Sequence, residues 1–187
     1  MLRRDDCQLR PVLESDLGLI LQWRNSERIR ANMFADHIIS SEEHRAWFER
    51  VNKEPIPLFL VFEYLRKPLG IVSITQIDRV NNRCLWGFYL GETDGPPECG
   101  MVMAYMGLTY IFENLKIHKL CSEAFAFNQG SIRFHRKLGF SQEGIFVKHV
   151  LKNGSYQDII TFAMLEVDWP NIKAALDRSC FEETEQR

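Results

Sequence analysis

The stretch Ala126-Phe127-Asn128-Gln129-Gly130-Ser131-Ile132-Arg133-Phe134-His135-Arg136-Lys137-Leu138-Gly139-Phe140 decides how the rest of the chain is read. Residues 118–127 lead into it as a strand, and Asn128 has the side-chain oxygen that accepts from a helix's first free amides. A short helix then runs from Gln129 to Leu138. Gly139 ends it, because a glycine suits the left-handed position after a helix.

Working outward toward the N-terminus, residues 102–115 form an apolar, helix-length segment fed by a loop over 91–100 that holds Gly91, Gly95, Gly100, Pro96 and Pro97. Before that loop lie three runs rich in aromatic and β-branched residues, 58–64, 70–77 and 84–90, with no helix between them. Consecutive strands of this kind predict an antiparallel meander. Two helices come first. One starts at Ser15-Asp16 and carries Leu17, Ile20, Leu21 and Trp23; the other starts at a Ser40/Glu43 capping box and buries Trp47, Phe48 and Val51. Downstream, 144–151 and 156–165 flank Lys152-Asn153-Gly154-Ser155, an Asn-Gly hairpin signal. Asp168-Trp169-Pro170 opens a last helix through Leu176, and the polar end 182–187 reads as frayed. The order α-α-β-β-β-α-β-α-β-β-α is mixed α/β (α+β), too irregular for a doubly wound sheet.

At 187 residues the chain has the length of a single domain, 1–187, with a core over about 7–168 and a C-terminal helix over about 168–178. The 45% hydrophobic and 26% charged composition is that of a globular chain with a core of its own. The net charge of −2 gives no field for a phosphate backbone, so nucleic acid is not the expected partner. Five cysteines without a C-x-x-C pair argue against a disulfide framework or a metal site. With no signal-like start and no apolar run of about 18 residues, the expectation is a soluble, cytoplasmic protein without a membrane partner.

The element order and the 126–140 segment resemble the GCN5-related N-acetyltransferase superfamily, whose motif there reads N-x-x-(A/S)-I-x-x-(Y)-x-K-L-G-F. The resemblance implies a mostly antiparallel, twisted central sheet flanked by helices, and acetyl-CoA as cosubstrate without a metal. Leu9-Arg10-Pro11, Trp23-Arg24-Asn25, Met33-Phe34 with His37-Ile38-Ile39-Ser40, and 42–48 are further similar to the acetyltransferases of pseudaminic acid biosynthesis. Those enzymes acetylate the 4-amino group of a UDP-linked 4-amino-4,6-dideoxy sugar, on the way to a sugar that decorates flagellin. A UDP-amino-sugar acceptor is therefore the expectation, and a homodimer is compatible with it. Protein N-termini or a polyamine, or a non-catalytic acyl-CoA-binding or nucleotide-binding role, are the alternatives.

Residue by residue, the resemblance implies that the pantetheine arm pairs with the backbone of Phe88, Tyr89 and Leu90. The pyrophosphate would rest on amides between Gly95 and Gly100, with Cys99 and Met101 at the helix start. The chain departs from the family pattern there: Gly95-Pro96-Pro97-Glu98-Cys99-Gly100 matches only at its last position. Pro96 and Pro97 remove donors and Glu98 adds a negative charge, which Lys137 or exposure to solvent would offset. The Cys99 thiol is either reactive or simply buried. Asn128 would bond the pantetheine arm, cap the helix, or both. His135 stands where the family has a tyrosine that returns a proton to the thiolate; the other reading is a core-edge histidine. Glu123 would drain the amine's proton or merely face solvent, and Ser73 is a third, weaker catalytic candidate. Arg24, Asn25, Met33, Phe34, His37, Trp47 and Trp86 would form the acceptor wall, although Phe34 and Trp47 could equally pack the helix pair.

Overall fold

The structure is a computed structural model and describes residues 1–54 and 58–181. Seven strands form one mixed sheet: β1 (Cys7–Pro11), β2 (Phe59–Tyr64), β3 (Lys67–Asp78), β4 (Arg83–Leu90), β5 (Lys119–Phe125), β6 (Ser141–Lys152) and β7 (Ser155–Leu165). Their spatial order is β1-β2-β3-β4-β5-β7-β6, antiparallel throughout except for β4 against β5. The helices are α1 (Leu17–Asn25), α2 (Glu27–Arg30), α3 (Ser41–Val51), α4 (Cys99–Thr109), α5 (Gln129–Lys137) and α6 (Trp169–Cys180).

The meander over β2, β3 and β4 forms as the sequence pattern predicts. Its central residues Val61, Phe62, Val72 and Ile74 are fully buried because helices cover both faces. On one face Val72, Ile74, Trp86 and Phe162 pack with Val102, Met103 and Leu108 of α4. On the other, Val61 and Ile71 pack with Ile20, Trp23 and Ile29. Asn153 and Gly154 both have positive φ, 48° and 77°, as the two-residue turn joining β6 and β7 requires. Gly139 has φ 93°, the left-handed stop expected after α5.

Three expectations need correction. β1 is a strand that the sequence pattern does not predict: five residues ending in a proline carry too short a signal, and the strand exists because β2 offers an edge for pairing from Cys7↔Tyr64 to Pro11↔Leu60. Arg10 then ties this strand down, donating to Asp16 at 2.6 and 2.9 Å and to Glu63 at 2.8 Å. β6 begins at Ser141 rather than 144. The apolar helix starts at Cys99, and its last turn, Tyr110–Asn114, widens to π geometry. The stretch 182–187, expected to fray, lies outside the described residues.

Candidate functional site

β4 and β5 are paired only at Arg83↔Lys119, Cys84↔Leu120 and Leu85↔Cys121. Beyond Leu85, β4 keeps its pairing to β3 as far as Leu90, and β5, paired to β7 along its whole length, no longer bonds β4. The two parallel strands therefore splay, and the backbone of residues 86–90 faces a cleft without a strand partner on that side. A cavity of about 1010 Å³ occupies the split, lined from both faces of the sheet. Strand alternation sorts its walls. Trp86, Phe88 and Leu90 pack on the α4 side, whereas Leu85, Gly87 and Tyr89 face α1 and α3.

The α4-side half contains Leu90, Gly100, Met103, Asn128, Gly130, Ser131 and Phe134. Asn128 Oδ1 accepts from the Ser131 amide at 3.0 Å, so the N-cap role is realised while the residue also lines the cavity. The amides of Cys99, Met101 and Val102 already donate to the carbonyls of Pro96 and Glu98. Among the described residues, Gly100 is thus the first-turn donor of α4 left for a ligand. This narrows the expected phosphate cradle. Gly95 packs against Leu69, where an added Cβ would come within 2.8 Å, and does not line the cavity. Cys99 is buried beside it, its thiol pushed up to about 11 by burial, so a reactive thiol is disfavoured. Met101 is buried in the core. The Glu98 carboxylate pairs with the amino group of Met1 at 3.3 Å, and Lys137 is exposed outside the cavity lining. The compensation expected of Lys137 is therefore not seen, whereas the alternative of solvent exposure agrees with the part-exposed Glu98 side chain.

The α1–α3 half gathers Arg24, Met33, Phe34, His37, Ile39, Glu43, His44 and Trp47. Trp23 lies flat where a side chain on Gly91 would be, donates from Nε1 to Glu92 at 2.8 Å, and meets Tyr89 edge-on. Arg28, also in the lining, donates to the Gly91 carbonyl at 2.6 Å. Asn25 is a correction: its amide donates to the Ile39 carbonyl at 2.9 Å and accepts from the Ile39 amide at 2.8 Å. With both ends engaged it holds the 31–39 segment rather than a substrate. His37 bonds Glu43 at the cavity mouth. Phe34 is 45% exposed and meets Phe125 edge-on at 5.2 Å. Trp47 stacks on His44 of its own helix at 4.9 Å and abuts Phe59 of β2 while lining the cavity, so its ring contacts are to α3 itself and the sheet rather than to the facing helix. Trp86 sits on the opposite face from this wall, stacked on Phe140, with its Nε1 buried and unpaired among the described residues.

His135 is the second correction. It is 2% exposed, wedged among Phe88, Phe140 and Phe162, and both ring nitrogens are engaged. Nδ1 donates to the Ser131 carbonyl at 2.8 Å, which makes Nε2 the acceptor for the Ser122 hydroxyl at 2.7 Å. Burial pushes the imidazole below its ordinary value, with the Ser131 carbonyl opposing, so the neutral form is held. A neutral ring whose only N–H is already donated is a poor source of a proton for a thiolate. Glu123 does line the cavity, between the inward-facing Ser122 and Ala124 of β5, and Ser73 Oγ donates to the Gly87 carbonyl at 3.1 Å.

Sequence reading missed Arg28, Glu43, His44, Arg50 and Ser122 in the lining. It also missed Lys152, 5% exposed, whose Nζ donates to the Met33 carbonyl at 2.9 Å and thereby ties the β6–β7 hairpin to the acceptor-side segment. The hairpin turn hid this lysine as a surface residue, and no spacing signal separates it from one.

A sheet opened between two parallel strands, with one half-site on each face, defines an enzyme that brings a donor and an acceptor together for group transfer. The chain belongs to the acetyltransferase (GNAT) domain family, whose profile matches residues 7–141. It is an N-acetyltransferase, and acetyl-CoA is its acetyl donor. It is 29% identical over 163 residues to the SPbeta prophage-derived uncharacterized N-acetyltransferase YokL of Bacillus subtilis, covering 86% of this chain and 90% of that protein. It is 23% identical to the spermidine N(1)-acetyltransferase of Escherichia coli K12, covering 85% and 86%. The crystal structure of spermidine N-acetyltransferase from Vibrio cholerae in complex with CoA and spermine shares the fold, with TM-score 0.82 at 20% identity over 90% of this chain and all of that one. The unpartnered β4 edge, the Gly100 amide and Asn128 fit an extended acyl-CoA arm on the α4 side. Among the described residues, no helix is long and apolar enough to cross a membrane.

Proposed function

We propose that the chain acetylates the primary amine of a small-molecule acceptor that enters from the α1–α3 face and attacks the donor thioester directly. The observation that carries this reading is the cavity itself, which joins two differently built walls through the β4–β5 split. The amine nitrogen forms the new amide bond as the thioester C–S bond breaks, and CoA leaves as its thiolate, which takes its proton from solvent. The backbone of 86–90 offers unpaired N–H groups along the donor path, and of the two lining carboxylates Glu123, unlike the His37-bonded Glu43, is the one suited to take the amine's proton through water. Tyr89 faces the acceptor side with its phenol pushed up by burial, so it stays neutral there. His135 serves as the packed support of β4 and α5. Cys99 is not used as a nucleophile.

The UDP-linked 4-amino-4,6-dideoxy sugar implied by the sequence resemblance is one acceptor this reading admits, although the relatives give it no support. A polyamine is the second reading, favoured by the spermidine enzyme of Escherichia coli among the relatives. The reading is tested by calorimetric titration with acetyl-CoA, followed by thiol release with an amine panel. Saturable micromolar binding, about −8 kcal/mol, is the expected result. Folded protein with no acetyl-CoA binding overturns it.

A further inference from the structure

Arg24 lines the acceptor half of the cavity, yet among the described residues its guanidinium makes no hydrogen bond and no ion pair. Its Nη1 is fully buried without an acceptor. An arginine stays charged in a protein, so among the described residues this is a part-buried cation with no bonded counter-charge, an arrangement that costs stability unless something outside the chain completes it. Glu43 acts on it through charge alone, and the nearby carboxylates are bonded elsewhere. Glu43 is bonded by His37, Asp36 by Lys152, and Glu92 by Trp23. The charged lining as a whole is Arg24, Arg28 and Arg50 against Glu43 and Glu123. This balance, one net positive charge over the whole cavity, favours an oxyanion over a polycation.

We infer that the acceptor is an amine that also bears a carboxylate or phosphate group, and that Arg24 is the specificity residue that pairs with that oxyanion. The inference rests on the acetyltransferase reading and narrows its acceptor class. The guanidinium presents a planar fork matched to two oxygens of either group. The same pairing would leave a polyamine as a poor acceptor, unlike the substrate named for the spermidine relative.

The experiment uses protein saturated with CoA, so that phosphate sites of the donor are already filled, and titrates it with uridine diphosphate, glutarate and spermidine in turn. At least one anion is expected to bind at least about tenfold tighter than spermidine, and to raise the Tm of the wild type. Arg24→Gln is expected to weaken that anion about 10–100-fold, the range of a charge-assisted pair, while acetyl-CoA binding is retained. Arg24→Met, which removes the unpaired charge but keeps the stem, is expected to melt above wild type in the absence of anion. A structural arginine would lower the Tm instead. Tighter binding of spermidine, no binding of either anion, or equal anion affinity in Arg24→Gln overturns the inference. Loss of acetyl-CoA binding by the wild type would overturn the broader reading instead, so the two failures are distinct.

Discussion

Replacing His135 by leucine separates a scaffold from a proton donor. The ring has Ser122 as its buried side-chain partner, and Ser122 is 2% exposed. Leucine at 135 has similar bulk but leaves that hydroxyl unpaired, at about 1–3 kcal/mol, and loses the ring contact with Phe162. The expected cost is about 2–4 kcal/mol, or about 4–16 °C in Tm for a chain of this length. Adding Ser122→Ala removes the stranded hydroxyl, so the double variant should regain about 1–2 kcal/mol relative to the single one. Thermal melts of wild type, both singles and the double measure this coupling. Thiol release at saturating substrates is then read on the double variant. A packed support predicts kcat within about tenfold of wild type, whereas a general acid is worth about 10²–10⁴. A double variant that regains stability but loses kcat a hundredfold or more would refute the scaffold argument.

Gly91→Ala would put a Cβ 1.9 Å from Trp23 Cδ2, inside the ring of a side chain buried at 3% exposure. Trp23 must move and release Glu92, so a loss of about 2–4 kcal/mol is expected by melting, with acceptor KM rising while acetyl-CoA affinity holds; a Tm within 1 °C of wild type, on the order of measurement error, would show that the loop simply shifts. Stability should also fall in mild acid. His135 and His44 are both held below the ordinary histidine value by burial, so the unfolded chain binds more protons than the native one as pH drops below about 6.5. Stability is then full above that pH and is lost progressively below it, with a slope of at most about 1.4 kcal/mol per pH unit from His135. Denaturant melts at pH 7.5, 6.5 and 5.5, values of ordinary buffers spanning the unperturbed ~6.5, check the sign, and a flat profile would mean that neither ring is buried in solution.

What the sequence discloses follows the range of each signal. The meander, the Asn128 cap, the Gly139 stop and the Asn153-Gly154 turn are local: propensity, capping chemistry and positive φ act within a few residues, so each is legible in the order of the residues themselves. β1 is not local, because its pairing partner lies some fifty residues away in β2. The site divides in the same way. A motif places Asn128 and His135, yet only packing shows that Phe162 and Ser122 enclose the imidazole. Lys152 reaches Met33 across a gap of more than a hundred residues, which no spacing rule can anticipate.

The Trp23-Arg24-Asn25 run illustrates why adjacent residues in a motif need not share a role. Near the end of α1 each residue is turned about 100° from the last, so three in a row face three different neighbours. Trp23 is pressed onto Gly91 and Tyr89 of the splayed strand's end, and Asn25 is locked to the backbone of Ile39. Arg24, between them, faces the cavity. The outer two fix the helix at both sides, which holds the guanidinium in a place where it has no bonded partner among the described residues. An unpaired charge persists only where the surrounding contacts over-determine it, and here those contacts are supplied by its two immediate neighbours. Of this run the sequence reading assigns Arg24 and Asn25 to the acceptor wall, and the structure makes Trp23 and Asn25 the frame for the one charged side chain. On the proposed reading the choice of acceptor rests on that side chain, while its flanking residues set its position.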